Sequence, residues 1–154
     1  MRPAAPGLEY AFTIRAEIGR TMTGGSSRNG ERLHIAIAGG RVEGPRLGGT
    51  IAPGGSDWPL LRPDGASRIS ACYTIVASDG TPILVRNEGI RVSSPEVLTR
   101  LRTGEAVDPA EYYFRTTPVF EAPDGPHAWL NDAMFVASLC RSGDAVVVDV
   151  YRVT

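Results

Sequence analysis

The chain has 154 residues, 42% of them hydrophobic and 21% charged, the size of one domain with a single substantial core. Sixteen basic residues against seventeen acidic ones leave a formal charge of −1, which speaks against nucleic acid or an anionic membrane as the main partner. All sixteen basic residues are arginine, and without lysine there is no Schiff base, no pyridoxal aldimine and no Walker phosphate loop.

Residues 1–7 carry Arg2 but no apolar run, and the stretch that follows is interrupted by Glu9, Arg15 and Glu17. A flexible N-terminus on a soluble, cytoplasmic chain is therefore expected, with neither leader nor membrane span. Leu8, Tyr10, Phe12, Ile14, Ala16 and Ile18 then alternate with polar residues, as in a half-buried strand. Residues 20–30, rich in Gly, Ser and Thr, read as a flexible loop. Leu33, Ile35 and Ile37 alternate again, Gly39-Gly40 reads as a hairpin turn, and a short strand is expected over residues 47–51. Residues 53–65 hold three prolines and three glycines and read as a packed loop around Trp58.

Ile69, Ala71, Tyr73 and Ile75 mark the next strand, and Asp79-Gly80 signals a hairpin into a partner over residues 81–91. The one helix begins at Ser94, with Pro95 and Glu96 suited to its start, and stops at Gly104. Residues 108–111 offer one further turn. Strand character returns over 112–121, 127–139 and 146–153. Eight or nine strands in hairpin order with one short helix predict an all-β, antiparallel domain spanning residues 1–154. Closure into a barrel is the usual way to remove exposed edges, with a two-sheet sandwich as the alternative.

Three constellations carry candidate chemistry. The first is Gly44-Pro45-Arg46 with Gly54-Gly55-Ser56-Asp57-Trp58, where Asp57 offers a carboxylate and Trp58 an amphipathic ring; the plainer reading is a capped turn and a plug. Ser56 lacks the Gly-x-Ser-x-Gly setting of a nucleophile elbow, and only His34 or His127 could serve it as base. In the second, Tyr113 and Arg115 share a strand face and could hold an oxyanion, or could equally be an ordinary polar outer face. The third places His127, Trp129 and Asn131 on one expected strand face, a choice that suits a polar-lined cavity, with Asn87 as a further amide. Cys72 and Cys140 read as two small buried thiols, and with His34 and His127 they show no metal-ligand spacing; no metal or cofactor is expected.

Taken in order, Gly44-Pro45-Arg46, Gly54-Gly55-Ser56-Asp57-Trp58, Asp79-Gly80, Asn87-Glu88-Gly89, Tyr113-Phe114-Arg115-Thr116 and Trp129-Leu130-Asn131 resemble a bacterial and fungal family of small barrels, domain of unknown function 3237. The likeness runs from about Tyr10 to Val153. It implies a closed, calycin- or lipocalin-like antiparallel barrel with a central cavity, and no established reaction. Carried over position by position, it points to Arg46, Asp57, Trp58, Asn87, Tyr113, Arg115, Trp129 and Asn131.

The leading expectation is an enzyme needing no cofactor that performs proton-transfer chemistry on a small aromatic or polyketide-like molecule: an isomerase, cyclase, dehydratase or lyase. Asp57, Arg115 and Tyr113 are its expected catalytic residues. Arg46, Trp58, Asn87, Trp129, Asn131 and His127 are expected to bind the substrate. The alternatives are a lipocalin-like carrier or sensor of a small hydrophobic ligand, and a structural barrel whose motifs serve loops and a homo-oligomer interface.

Overall fold

Alternating apolar and polar side chains build ten strands in the computed structural model, which describes residues 1–154. They are β1 (Leu8–Ser27), β2 (Gly30–Glu43), β3 (Gly49–Ile51), β4 (Gly55–Asp57), β5 (Leu60–Leu61), β6 (Ser67–Ala77), β7 (Pro82–Val92), β8 (Tyr113–Glu121), β9 (Phe135–Ser142) and β10 (Ala145–Val153). One helix, α1 (Pro95–Arg102), and two 3-10 turns, Pro109–Glu111 and Ala128–Asp132, complete the chain. All pairing is antiparallel. It runs β1–β10–β9–β8–β7–β6, passes through β3, β4 and β5 to β2, and returns from β2 to β1. The three short strands are successive pieces of one interrupted strand, each pairing with β2 on one side and β6 on the other. Counted so, eight strands close the ring, and the expected antiparallel barrel forms.

The inward faces supply the core. Phe12, Ile14, Ile75, Ile83, Val85 and Val150 are fully buried, each contributing about 1.5–3 kcal/mol of apolar burial. At one end the barrel is plugged. Phe120 meets Phe12 and Phe135 edge-on at 5.5 and 5.0 Å, Trp129 meets Phe135 at 5.8 Å, and Leu130 from the second 3-10 turn is 1% exposed. At the other end α1 lies beside the mouth, burying Val97 and Leu101. Its start is fixed as expected: the Ser94 hydroxyl accepts the Val97 N–H at 3.2 Å, and Pro95 occupies the first turn.

Several local expectations change. Residues 20–30 are not a loose loop: β1 and β2 continue as one long hairpin, pairing Thr23 with Leu33 and Ser26 with Glu31 through main-chain bonds that small polar side chains do not announce. Gly39-Gly40 is not a turn but lies within β2, and a Cβ on Gly40 (φ 143°) would sit 2.0 Å from the Arg15 carbonyl oxygen. Residues 53–65 are partly strand. Around Tyr10 a register shift between β1 and β10 buries both Ala11 and Phe12 and leaves Leu8 and Tyr10 exposed, so the single face expected for this strand breaks. Cys72 is exposed on the outer face rather than buried, because its neighbour Tyr73 takes the inward position.

Candidate functional site

The open end holds a cavity of about 380 Å³, within the size range of small-molecule sites. Its apolar wall is made by Ile18, Leu33 and Ile35 of the long hairpin, Ile69 of β6, Phe114 of β8 and Leu101 of α1. Four charged side chains complete it: Asp57, Arg91, Arg102 and Arg141.

Asp57 reaches this wall because β4 is wedged between β2 and β6, pairing Asp57 with Ile35 and Ala71. The Ser70 backbone N–H donates to its Oδ1 at 3.1 Å, leaving Oδ2 without a protein partner. Desolvation is the largest influence on this half-buried carboxyl and raises its pKa above 3.8; backbone N–H groups of Ser70 and Trp58 and the charge of Arg91 oppose it without prevailing. Tyr73, buried on the inward face of β6, has its phenol pushed up by burial and, second, by the Asp57 charge. Arg91, at the end of β7, donates to Ser67 Oγ at 3.3 Å and lies over the Phe114 ring at 5.8 Å.

The expected site residues divide among five places. Asp57 lines the cavity. Asn87 lies inside the barrel at 3% exposure, and its Oδ1 has no partner, as is true of Thr116 Oγ1 on the adjoining strand. Tyr113 and Arg115 are on the outer face, because the inward positions of β8 belong to Phe114, Thr116 and Phe120. There Tyr113 is 53% exposed, Arg115 donates to the Phe114 carbonyl oxygen at 2.9 Å and lies over the Tyr113 ring at 5.2 Å. Both border an open groove of about 610 Å³ along the β8–β9 seam, where only two residue pairs join the strands. This groove is the larger hollow, yet Arg115 is its one charged side chain and no carboxylate borders it.

Arg46, Trp129, Asn131 and His127 gather at the plugged end. The Arg46 guanidinium lies 4.2 Å from the Trp129 ring centre and pairs with Glu9 at 3.0 Å. Asn131 clamps Ala122, accepting its N–H at 2.9 Å and donating to its carbonyl oxygen at 2.8 Å. His127 meets Asp79 at 3.0 Å. The shared strand face expected for His127, Trp129 and Asn131 does not exist, since residues 128–132 form a 3-10 turn that carries Leu130 into the core.

Trp58 sits on the outer face, 48% exposed, stacked on His34 with ring centres 4.0 Å apart. His34 Nε2 lies 2.7 Å from Ser56 Oγ, while its Nδ1 is buried without a partner. A buried N–H lacking an acceptor costs about 1–3 kcal/mol, so the neutral ring carries its proton on Nε2 and donates to Ser56. Ser56 is therefore not activated, and nothing orients the ring as a triad requires. Tyr73, Arg91, Arg102 and Arg141 were not singled out from the sequence. A signal was available for three of them: each continues an apolar inward alternation, Arg91 after Ile83 and Val85, Arg141 after Ala137 and Leu139, Tyr73 between Ile69 and Ile75.

Fold and site together define a small antiparallel barrel, plugged at one end, with one carboxylate and three guanidiniums at the mouth of the other. A family model described as protein of unknown function (DUF3237) matches residues 6–153, and the chain belongs to that family. A UPF0311 protein of Rhodopseudomonas palustris is 41% identical over 150 residues, 96% of this chain and 98% of that one, and one from Clostridium acetobutylicum is 35% identical over 95% and 93%. Among solved structures, a conserved protein of unknown function from Rhodopseudomonas palustris superposes with a TM-score of 0.92 at 39% identity, covering 100% of both chains. A β-barrel-like protein from Acinetobacter baumannii gives 0.87 at 34%, covering 99% of both. An enzyme from Penicillium herquei gives 0.75 at 22%, covering 100% of this chain and 98% of that one, a likeness of fold. No helix is long and apolar enough to cross a membrane.

Proposed function

We propose that this protein is an enzyme that moves protons on a small, partly aromatic or polyketide-like molecule seated at the barrel mouth, in an isomerisation, cyclisation, dehydration or related lyase step. The observation that carries this reading is Asp57: a carboxyl whose pKa is raised by desolvation, tethered through one oxygen, with the other oxygen unpartnered in a cavity of apolar walls and three guanidiniums, Arg91 among them. A carboxylate so placed suits general acid–base work, which contributes about 10²–10⁴-fold to rate. Asp57 Oδ2 takes a proton from carbon, the electron pair moves onto the substrate's carbonyl oxygen, and the Arg91 guanidinium holds the oxyanion. Return of the proton to a different atom completes an isomerisation. Arg91 thus takes the place expected of Arg115. The Penicillium herquei protein is described as an enzyme, so this barrel is compatible with catalysis.

The test is proton–deuterium exchange in D₂O, read by mass spectrometry, on enolisable aromatic ketones that bind the protein. Exchange above the buffer rate is expected, falling at least 100-fold in Asp57→Asn. Full exchange in that variant, or a bound ketone recovered without label, overturns the proposal, the latter in favour of a carrier.

A further inference from the structure

We propose that the barrel mouth selects its ligand as an anion, through three guanidiniums delivered by three different elements onto one small cavity. Arg91 comes from the end of β7, Arg102 from the last turn of α1 and Arg141 from the end of β9. Against these three positive charges the cavity wall offers a single carboxylate, Asp57. This inference rests on the cavity being the ligand site and adds the chemical class of what enters it.

The commitments of each arginine leave donors over. Arg102 is the most engaged, pairing with Glu31 at 3.3 Å on the exposed rim. Arg141 uses Nε on the Gly143 carbonyl oxygen at 2.7 Å, so both terminal nitrogens remain. Arg91 has no ion pair; it donates to the Ser67 hydroxyl and its guanidinium lies 5.8 Å from the Phe114 ring centre. Its side chain lines the cavity, and none of its nitrogens is sealed away from solvent without a partner. Desolvation is the largest influence lowering its pKa; Arg102 and Arg141 act the same way, while Tyr112 and Asp57 oppose them, so like charges crowd a half-buried group. Such crowding is costly without a counter-ion, and with Glu31 pairing Arg102 at the rim, Asp57 is one carboxyl for Arg91 and Arg141.

A guanidinium is a planar fork that matches a planar oxyanion through two parallel bonds. The complementary ligand carries a carboxylate, phenolate or enolate at its outer edge and an apolar, ring-sized body against Ile35, Ile69 and Phe114. That orientation puts the anionic oxygens on Arg91 and Arg141 and turns the body of the molecule toward Asp57.

The experiment compares 2-naphthoate with its neutral isostere 2-naphthamide by titration calorimetry, at low salt, on the full chain. The wild-type protein is expected to bind the acid at least tenfold more tightly than the amide. In Arg91→Gln that preference should shrink to within about twofold, and Arg141→Gln should reduce it independently should the first variant fold poorly. Arg86→Gln, exposed on the outer face, should leave it intact. Equal binding of acid and amide, no measurable binding of the acid, or a preference untouched in both Arg91→Gln and Arg141→Gln overturns the inference. The two proposals fail separately: loss of anion preference leaves Asp57-dependent exchange standing, and exchange that survives Asp57→Asn leaves the anion preference standing.

Discussion

The carboxyl of Asp57 is pulled in two directions. Desolvation favours its neutral form, the Ser70 and Trp58 N–H groups and Arg91 favour the anion, and desolvation prevails, so the folded pKa exceeds the ordinary 3.8. The folded state therefore binds the proton more tightly than the unfolded one between those two values. The stability contributed by this group is complete below about pH 3.8 and is lost as pH rises through the folded value. At pH 7.5 the ionised Asp57 weakens the fold. Asp57→Asn keeps an oxygen for the Ser70 N–H and removes that penalty, with an expected Tm gain of roughly 2–4 °C, the equivalent of about 1 kcal/mol in a chain of this size. Thermal scans repeated toward pH 4 should show the gain shrinking; a loss at pH 7.5, or a gain that ignores pH, contradicts the assignment. A residue whose removal stabilises the fold while ending exchange is one held at cost for function. At this scale Asp57 was legible because a carboxylate next to Trp58 in a glycine-rich stretch stands out by type. Arg91 and Tyr73 were not, because their meaning depends on which strand face points inward, and that is settled by closure of the whole ring. The same ambiguity put Tyr113 and Arg115 inside when Phe114 and Thr116 hold the inward positions.

Asp57 owes its place to an element only three residues long. β4 is held by β2 and β6, and its first residue must allow close approach: a Cβ on Gly55 would lie 2.4 Å from Tyr73 Cβ and 2.9 Å from the Cys72 carbonyl oxygen. Gly55→Ala is expected to push β4 off β6, costing about 1–3 kcal/mol in the manner of an overpacked core. Asp57, two residues on, moves with it. Urea unfolding should show the lost stability, and deuterium exchange should fall at least tenfold although Asp57 itself is unchanged. A folded Gly55→Ala with wild-type exchange separates β4 from the site. Elements with their own local chemistry were readable in advance, as Ser94, Pro95 and Gly104 bracket α1 and Asp79-Gly80 turns β6 into β7. β4 and the far half of the β1–β2 hairpin were not, since both are held by main-chain pairing in segments rich in glycine, serine and threonine, whose side chains show no apolar alternation. Yet Ile18, Leu33 and Ile35 of that hairpin form one wall of the cavity.

The two ends of the barrel are made of opposite materials, and this divides stability from function across the molecule. The closed end is aromatic and self-satisfied: four rings in edge contact, Arg46 covering Trp129 while paired to Glu9, Asn131 stitched to Ala122. The open end keeps crowded guanidiniums and a desolvated carboxyl, which lower stability and which the proposed function assigns to a ligand. Closure of the barrel could be read from strand count and hairpin order, but not which ring-bearing residues would plug it. Residues 127–131 look alike as strand or as 3-10 turn until Leu130 is seen to take the core position. Trp129→Ala removes a partly buried ring and strands the Arg46 guanidinium, so a loss of roughly 2–4 kcal/mol is expected in urea unfolding, somewhat under that of a fully buried tryptophan. Exchange per folded molecule should stay within twofold of wild type, because no atom of Trp129 borders the mouth. Asp57→Asn reverses both signs, gaining stability and losing exchange. Should Trp129→Ala abolish exchange while remaining folded, the closed end takes part in the chemistry and the division of labour between the two ends is wrong.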